Sequence, residues 1–261
     1  MNGRSKIIEV HDLMIGYGGH IVMQNLNFDI FAGEIVCLMG GSGCGKSTLL
    51  KHITGLYEPM KGDILIYGES IVKASGEKKN SIMRKFGVAY QGGALFGSMS
   101  VAENVELPLR EYTDLTFAER MKAVNAKLDM VGLHGAGELM PGELSGGMRK
   151  RAGLARALVL EPELLFFDEP SAGLDPLSSA ELDRLILDLR EKLGATVVVV
   201  THELDSVFAI ADRVIMLDKN TKTMVADGSP VDLRIHCKNE WVRKFLTRGG
   251  LCRSEKEVGY E

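Results

Sequence analysis

The sequence predicts an α/β fold in which a parallel sheet forms the core and carries an inserted helical subdomain. Uncharged, β-branched or apolar runs such as Leu164–Phe167 and Thr196–Thr201 follow or precede helix-like stretches. Strands of this kind are buried on both faces of a parallel sheet. Between Met99 and Leu158 the strand signals largely stop, which predicts helices there. The chain is long enough to bury a sizeable core.

Short β-type runs open the chain, at Ile7–Val10, Ile21–Met23 and Leu26–Ile30, with glycine-rich breaks between them. They predict an N-terminal antiparallel β subdomain. A further glycine-bounded run at Gly62–Gly68 predicts another strand. The polar stretch Lys73–Ser81 has little to bury, so we expect a surface loop there.

A glycine-rich segment between the strand-like run Glu34–Met39 and the helix-like run Thr48–Ile53 fits the phosphate-binding template G-x-x-x-x-G-K-[ST]. Glycines let backbone N–H groups face an anion, and the following helix N-terminus adds partial positive charge. Lys46 would reach the β- and γ-phosphates, and Ser47 would place its hydroxyl on Mg²⁺. A chance glycine-rich turn is the alternative. The predicted nucleotide-binding residues here are Gly40, Gly41, Ser42, Gly43, Cys44, Gly45, Lys46, Ser47 and Thr48.

Two later segments have helical periodicity. Thr116 and Glu119 match a capping box, and an apolar face follows in the insert. Ser178 and Glu181 predict the start of a second helix. The predicted apolar faces are Phe117, Met121, Val124, Leu128 and Val131 in the first helix and Leu182, Leu185, Ile186, Leu189 and Leu193 in the second.

Two carboxylates, Asp168 and Glu169, end the apolar run that begins at Leu164. Asp168 would hold Mg²⁺ directly or through water, and Glu169 would orient and polarise the attacking water. A buried strand followed by an acidic helix cap is the alternative. His202 ends the next strand on the same edge of the sheet, where an imidazole can contact a γ-phosphate. Alone, a histidine at a strand end is usually structural or solvated.

Gln91 follows a short strand-like run, Phe86–Tyr90, where the chain leaves the sheet for the insert. Its neutral amide can contact Mg²⁺ or water and can respond to movement of the insert. The predicted metal ligands are therefore Ser47, Gln91 and Asp168, and the predicted catalytic residues are Lys46, Glu169 and His202.

A second anion site is predicted where Ser145, Gly146 and Gly147 precede a basic helix. Free N–H groups, a hydroxyl and the helix dipole all favour an anion there. Such a segment is also a common loop before a capped helix, so its meaning depends on the other motifs.

In their joint order, these motifs closely resemble the ATP-binding cassette (ABC) ATPases over most of the chain. The resemblance implies a P-loop NTPase (RecA-like) core that hydrolyses ATP with Mg²⁺. It also implies a head-to-tail homodimer, with each ATP between one phosphate loop and the other copy's Leu144–Met148 segment. By the same resemblance, Tyr17 stacks on adenine, Asp175 belongs to a loop that couples the two sites, and His202 contacts the γ-phosphate. Met148 departs from the glutamine of the general pattern.

Two stretches narrow the resemblance to the Mla/Mce-associated cassettes, which energise phospholipid transport between bacterial membranes. These are Gln91–Val105, followed by Pro108-Leu109, and Leu139–Met148, in which Met148 is expected. The implied partners are integral membrane permease subunits, with accessory regulatory and Mce-domain lipid-binding subunits as further candidates. The implied role is maintenance of outer-membrane lipid asymmetry from the cytoplasmic face of the inner membrane. An amino-acid or other small-solute importer is the alternative, because fold and motor do not determine the cargo.

Composition limits other functions. Lysine and arginine number 31 against 35 acidic residues, a net charge of −4, so nucleic acid is a poor candidate partner. The four cysteines form no C-x-x-C pair, which fits a reducing cytoplasm. Residues 1–9 lack an apolar signal core, and no run approaches the length of a membrane span. We expect peripheral membrane association through a partner.

We predict an ATPase domain over residues 1–235, with the helical subdomain inserted at about 92–160, and a tail helix within residues 236–261. Trp241, Val242, Phe245 and Leu246 predict a docked helix, and a contact with the partner cassette is a further hypothesis. A soluble, non-transport ABC ATPase is a rival, although those usually have two cassettes or long coiled-coil inserts. A regulatory protein without hydrolysis is another rival, and Glu169 argues against it.

Overall fold

The computed structural model describes residues 5–248. The strands are β1 (Lys6–Tyr17), β2 (His20–Phe31), β3 (Ile35–Gly40), β4 (Lys61–Ile66), β5 (Glu69–Ser70), β6 (Phe86–Ala89), β7 (Leu164–Asp168), β8 (Thr196–Val200), β9 (Arg213–Asp218) and β10 (Thr223–Gly228). The helices are α1 (Lys46–Ile53), α2 (Gly76–Met83), α3 (Val101–Tyr112), α4 (Phe117–Met130), α5 (Gly146–Leu158), α6 (Pro176–Leu193), α7 (Leu204–Ile210), α8 (Pro230–His236) and α9 (Glu240–Leu246), with a 3₁₀ turn at Pro141–Glu143.

Two sheets organise the fold. An antiparallel sheet has the strand order β2-β1-β4-β5, and a six-stranded sheet has the order β10-β9-β3-β8-β7-β6. In the second sheet, β3, β6, β7, β8 and β9 are parallel and only β10 is antiparallel. The prediction of an α/β fold with a parallel core and an N-terminal antiparallel subdomain is therefore confirmed.

The parallel strands are buried on both faces. Along β7, Leu165 and Phe167 belong to one apolar cluster, and Leu164 and Phe166 belong to another. The first cluster also contains residues of α3, α4 and α5, whereas the second contains residues of α1 and of the antiparallel sheet. Because side chains alternate along a strand, each core strand supplies both clusters. Helices α3–α5 occupy the region predicted as the insert, and the exact domain limits stay a prediction.

The polar stretch predicted as a loop contains helix α2, so that prediction is wrong in part. Ser75 lies before the helix in an extended conformation, and Ile82 in its last turn is fully buried in the core beneath the antiparallel sheet. One buried isoleucine per two turns therefore suffices to dock a short helix whose composition is otherwise polar.

Helix α6 begins before the predicted Ser178. Asp175 is its N-cap, and its Oδ1 accepts hydrogen bonds at 3.1 Å from the N–H groups of Leu177 and Ser178. Pro176 occupies the first helical position, where its missing N–H costs no helical hydrogen bond. This pairing of aspartate and proline determines the start of the helix instead of the Ser178–Glu181 pattern.

Each predicted apolar face has an exposed residue at one end. Phe117, the first residue of α4, is 65% exposed, and Leu193, the last residue of α6, is 52% exposed. The interior of each face is buried as predicted, at Val124, Leu128 and Ile186. A helix end can extend past the surface it packs against, so periodicity alone overestimates the buried length.

Three of the cysteines lie in the described range. Cys37 and Cys44 are buried, Cys237 is partly buried, and all three are free. Cys252 and the end of the predicted tail, residues 249–261, lie outside the described residues. The tail helix within residues 5–248 is α9, capped by the Asn239 side chain.

Candidate functional site

The segment between β3 and α1 is shaped by glycines. Gly40 has a φ of 152°, and a Cβ there would lie 2.4 Å from the Leu217 carbonyl oxygen. Gly45 has a φ of 101°, and its Cβ would lie 2.5 Å from Val22 Cγ1. Both a left-handed conformation and a close approach therefore require glycine at these two positions. The loop leads into the N-terminus of α1, where backbone N–H groups favour the binding of an anion.

Lys46 lies across this loop. Its Nζ donates to the carbonyls of Gly40 at 3.0 Å and Gly41 at 3.3 Å, and the residue is buried. Cys44 is also buried, and burial raises the pKa of its thiol. It is consequently a packing residue of the loop, and its backbone N–H donates to the Gly41 carbonyl at 3.2 Å. Ser42 and Gly43 are exposed.

Ser47 and Asp168 meet at the edge of the sheet. The Ser47 hydroxyl donates to Asp168 Oδ1 at 2.8 Å. Asp168 is the last residue of β7 and is buried. Burial raises the pKa of Asp168 above its ordinary value, and the hydrogen bond from Ser47 only partly opposes this shift. The sequence predicts both residues as metal ligands, and the fold brings together two residues 121 positions apart.

Glu169 is buried directly after β7, with a φ of 49° that turns the chain at the strand end. His202, two residues after β8, places Nδ1 3.0 Å from Oε1 and 2.9 Å from Oε2 of Glu169. A non-glycine residue in this conformation is uncommon and often occurs at functional sites. Glu169 and His202 are therefore neighbours, although they were predicted separately. Their roles with a nucleotide stay predictions.

Tyr17 lies beside α1. Its hydroxyl donates to Thr48 Oγ1 at 3.0 Å, and its ring is 46% exposed. The ring of Tyr57 meets it edge-on with 5.5 Å between centroids. Buried His52, also near Tyr17, donates from Nδ1 to the Thr48 carbonyl at 2.7 Å, and burial lowers the pKa of its imidazole. Tyr17 is thus an aromatic surface fixed close to the phosphate loop.

Gln91 is exposed and lies two residues beyond β6. Since Ala89 of β6 pairs with Phe167 of β7, Gln91 leaves the sheet at the same edge as Asp168. It lies within a turn closed by the Gly93 N–H, which donates to the Tyr90 carbonyl at 2.8 Å.

Ser145 is the N-cap of α5. Its Oγ accepts from the Met148 N–H at 3.2 Å, and Ser145 and Gly146 are exposed. Ser145, Gly147 and Asp175 line one cleft, of about 360 Å³. Among the described residues that line this cleft, none belongs to the phosphate loop. The predicted site residues therefore form two groups, one around Lys46 and one around Ser145.

Two basic residues of α5 contact the site although the sequence reasoning gave them no role. Lys150 donates to the carbonyls of Ala172 and Glu169. Arg156 donates to the carbonyls of Gly93 and Ala94. The only sequence signal was the basic character of this helix, which does not indicate partners that are distant in sequence.

Residues 23–172 match the family model described as ABC transporter. The "Intermembrane phospholipid transport system ATP-binding protein MlaF" of Escherichia coli K12 is 41% identical over 93% of this chain and 89% of its own length. The "Probable ribonucleotide transport ATP-binding protein mkl" of Mycobacterium leprae is 43% identical over 92% of this chain and 68% of its own length. For the Mycobacterium bovis relative of the same name, the chain spans 66% of that protein's length.

Solved structures agree on the fold. A dimeric post-hydrolysis state of the ATP-binding cassette MJ0796 bound to ADP and Pi has a TM-score of 0.79 and 31% identity, covering 85% of this chain and 98% of that one. cbiO1 from Clostridium perfringens, part of the ABC transporter complex cbiONQ, has a TM-score of 0.77 and 30% identity, covering 93% and 95%. Along residues 5–248, no helix has both the length and the apolar character needed to cross a membrane. The chain belongs to the ABC transporter family, and it is an ATP-binding cassette ATPase.

Proposed function

We propose that this chain is the ATP-hydrolysing subunit of a transporter that moves phospholipid through a separate permease. The observation that carries the hydrolytic part is the contact between Ser47 and Asp168 next to buried Glu169, which in turn is paired with exposed His202. Hydroxyl, carboxylate and imidazole groups from three segments converge where the phosphate loop ends. A simple nucleotide-binding protein has no need for Glu169 at that position.

In this proposal, Lys46 exchanges its contacts with the loop carbonyls for phosphate oxygens, because a cation gains more from an anion than from two carbonyl dipoles. Glu169 accepts a hydrogen bond from the attacking water and orients it toward the γ-phosphate. His202 fixes the direction of that carboxylate through its Nδ1 contact and leaves its other nitrogen for the γ-phosphate. Tyr17 supplies the aromatic face for adenine.

Mg²⁺ fits the donor set at this position. Ser47 and Asp168 present hard oxygen donors, and Gln91 lies at the same sheet edge. Within residues 5–248, no group of three or more histidine, cysteine or acidic side chains could hold a metal alone. Protein sites for Mg²⁺ commonly offer one or two side chains and leave the remaining positions to phosphate and water. When bound, Mg²⁺ would neutralise charge on the β- and γ-phosphates.

A second copy completes the site in this proposal. The group around Ser145 lines a different cleft from the phosphate loop, and its cap, free N–H groups and helix dipole suit an anion. A head-to-tail homodimer would place each Ser145 against the other copy's ATP. The dimeric MJ0796 structure with ADP and Pi supports this arrangement.

Changing Ser145 to alanine tests the shared site. We expect ATP hydrolysis to fall, because the hydroxyl is lost and removal of an N-cap costs about 1 kcal/mol of helix stability. ATP binding by the monomer, measured by fluorescence titration, should stay unchanged. Threonine, which also caps helices, should retain more activity than alanine. If ATP binding by the monomer fell as much as ATP hydrolysis in the alanine variant, Ser145 would not belong to a site shared between two copies.

The surface after Gln91 suits a permease. Phe96 is 54% exposed at the start of the helical region. Its loop is held by Asn104, a fully buried residue whose Oδ1 accepts from the Phe96 N–H at 2.7 Å and whose Nδ2 donates to the carbonyls of Phe96, Met99 and Ser100. An apolar side chain presented by a rigid loop suits docking of a short helix. Peripheral association with the cytoplasmic face of the inner membrane would follow from that contact.

Phospholipid is the proposed cargo because the MlaF relative matches nearly the full length of both chains. A ribonucleotide or another small solute is the second candidate, since the mycobacterial relatives are named for ribonucleotide transport. To distinguish them, the chain is co-expressed with candidate permeases and purified. We expect a permease that carries an Mce-domain lipid-binding partner to co-purify and to support ATP-dependent transfer of fluorescent phospholipid between vesicles. Assembly with a solute-binding protein, without lipid transfer, would contradict the lipid assignment.

The tail offers a separate test of dimer stabilisation. Helix α9 is short, with Val242 and Leu246 buried and Trp241 partly exposed. If residues after Asn239 contact the partner cassette, their deletion should weaken assembly of the two cassettes at low protein concentration. Light scattering measures this directly. Unchanged assembly of the truncated protein would exclude the role.

A further inference from the structure

Arg156 of helix α5 is hydrogen-bonded to residues 91–94, here named the Gln91 segment. Its guanidinium donates from Nη2 to the Gly93 carbonyl at 2.9 Å and from Nη1 to the Ala94 carbonyl at 2.8 Å. These bonds join residues 62 and 63 positions apart. A planar guanidinium can bridge two consecutive carbonyls, whereas a lysine offers a single charged nitrogen.

The backbone of the same segment also lies directly against the backbone of α5. A Cβ on Gly153 would lie 2.7 Å from both Cα and O of Gly93, and a Cβ on Gly93 would lie 2.3 Å from the Arg149 carbonyl oxygen. Two glycines therefore allow a contact that no other residue pair would permit. Because Gln91 lies in the turn closed by Gly93, its backbone is held against α5 as well.

A cleft of about 200 Å³ lies between α5 at Lys150 and Leu154, the end of α4 at Met130, and α6 at Leu182 and Leu185, and Tyr90 beside Gln91 also lines it. Helix α5 is thus joined closely to the Gln91 segment, and Lys150 also ties it to the Glu169 and Ala172 carbonyls before α6.

We propose that Arg156 is a positioning residue that makes Gln91 and Ser145 parts of one rigid unit. The inference rests on the proposed function, in which Gln91 acts at the chain's own nucleotide and Ser145 completes the site of the other copy. A displacement of Gln91 then moves the start of α5 with it. Nucleotide binding at one site consequently sets the geometry of the second site, and hydrolysis depends cooperatively on ATP concentration.

Arg156→Ala removes the bridge without replacing any of the predicted nucleotide-binding residues. We expect turnover to fall about 10- to 100-fold, the effect of a small misplacement remote from the chemistry, with the Kd of the monomer for ATP changed less than about twofold. The Hill coefficient for ATP should approach one. Arg156→Lys should recover part of the turnover. Gly153→Ala, which pushes the segment away by contact, should reproduce the defect, and exposed Arg184→Lys on α6 is the matched control.

A double-mutant cycle separates positioning from folding. If Arg156 acts through Gln91, Arg156→Ala should lower turnover much less in a Gln91→Ala background than in the wild type. Additive losses, or a parallel loss of thermal stability and monomer ATP binding, would indicate a purely structural residue. Wild-type turnover and cooperativity in Arg156→Ala would also overturn the proposal.

A distance measurement tests the rigid unit without hydrolysis. Spin labels attached at Gly92→Cys and Gly142→Cys, both positions where a Cβ meets open space, report on the Gln91 segment and the region before Ser145. Cys237 and Cys252 are replaced by serine. Electron resonance should give one narrow distance distribution that broadens on Arg156→Ala. An unchanged distribution would refute the coupling, whereas absence of wild-type ATPase activity with the expected broadening would refute only the proposed function.

Discussion

Replacing Glu169 with glutamine is expected to abolish nearly all turnover while preserving ATP binding. Glutamine has the size of glutamate, so the buried pocket and the turn after β7 should persist. It cannot accept a proton from the attacking water, and loss of a general base commonly costs about 100- to 10,000-fold in rate. Steady-state phosphate release measures the turnover, and nucleotide fluorescence measures the binding.

The same variant should accumulate as a closed dimer when ATP and Mg²⁺ are present. Hydrolysis is the step that would reopen the dimer in the proposed cycle, so its loss traps the nucleotide-bound form. Gel filtration with and without ATP detects the shift in mass. Glu163→Gln, an exposed substitution just before β7, is the matched control. Turnover at the wild-type rate in the Glu169 variant would remove this residue from its proposed role.

Replacing Lys46 with alanine is expected to weaken ATP binding itself. Lys46 is buried across the phosphate loop, and its ammonium is the cation placed closest to the loop carbonyls. A hydrogen bond to a charged group contributes about 1.5–3 kcal/mol, which corresponds to about 10- to 100-fold in Kd. Isothermal titration with a slowly hydrolysed ATP analogue measures the change.

Two controls make the Lys46 result specific. Lys192→Ala, which removes an exposed lysine near the end of α6, should leave the Kd unchanged. Thermal unfolding without nucleotide should show that the Lys46 variant is folded, and added ATP should raise its Tm less than it raises that of the wild type. An unchanged Kd for Lys46→Ala would exclude the loop as the phosphate site.

The fold was largely predictable because its main features are local in sequence. The strand, glycine loop and helix around Lys46 follow one another directly, and the uncharged runs at β7 and β8 have the composition of buried parallel strands. Helix ends were less predictable. Asp175 was assigned to a coupling loop, and its capping of α6 depends on local dihedral angles that periodicity does not report.

Contacts between distant segments limited the prediction of the site. Residue types and order indicated Ser47, Asp168, Glu169 and His202, and the parallel sheet then predicts that strand ends meet at one edge. Arg156 was not predicted, because its partners are backbone carbonyls, which every residue possesses. A side chain that recognises main-chain atoms leaves no complementary residue in the sequence to pair with it.

Strand β7 has a consequence for how the family can vary in length. Its alternate residues enter two different apolar clusters, and its final residue, Asp168, pairs in register with Val200. One inserted residue would turn Leu165 and Phe167 to the opposite face and move Asp168 away from Ser47. Insertions and deletions should therefore be absent from this strand and concentrated in turns such as Gly18-Gly19 and Lys219–Lys222, where the chain is exposed.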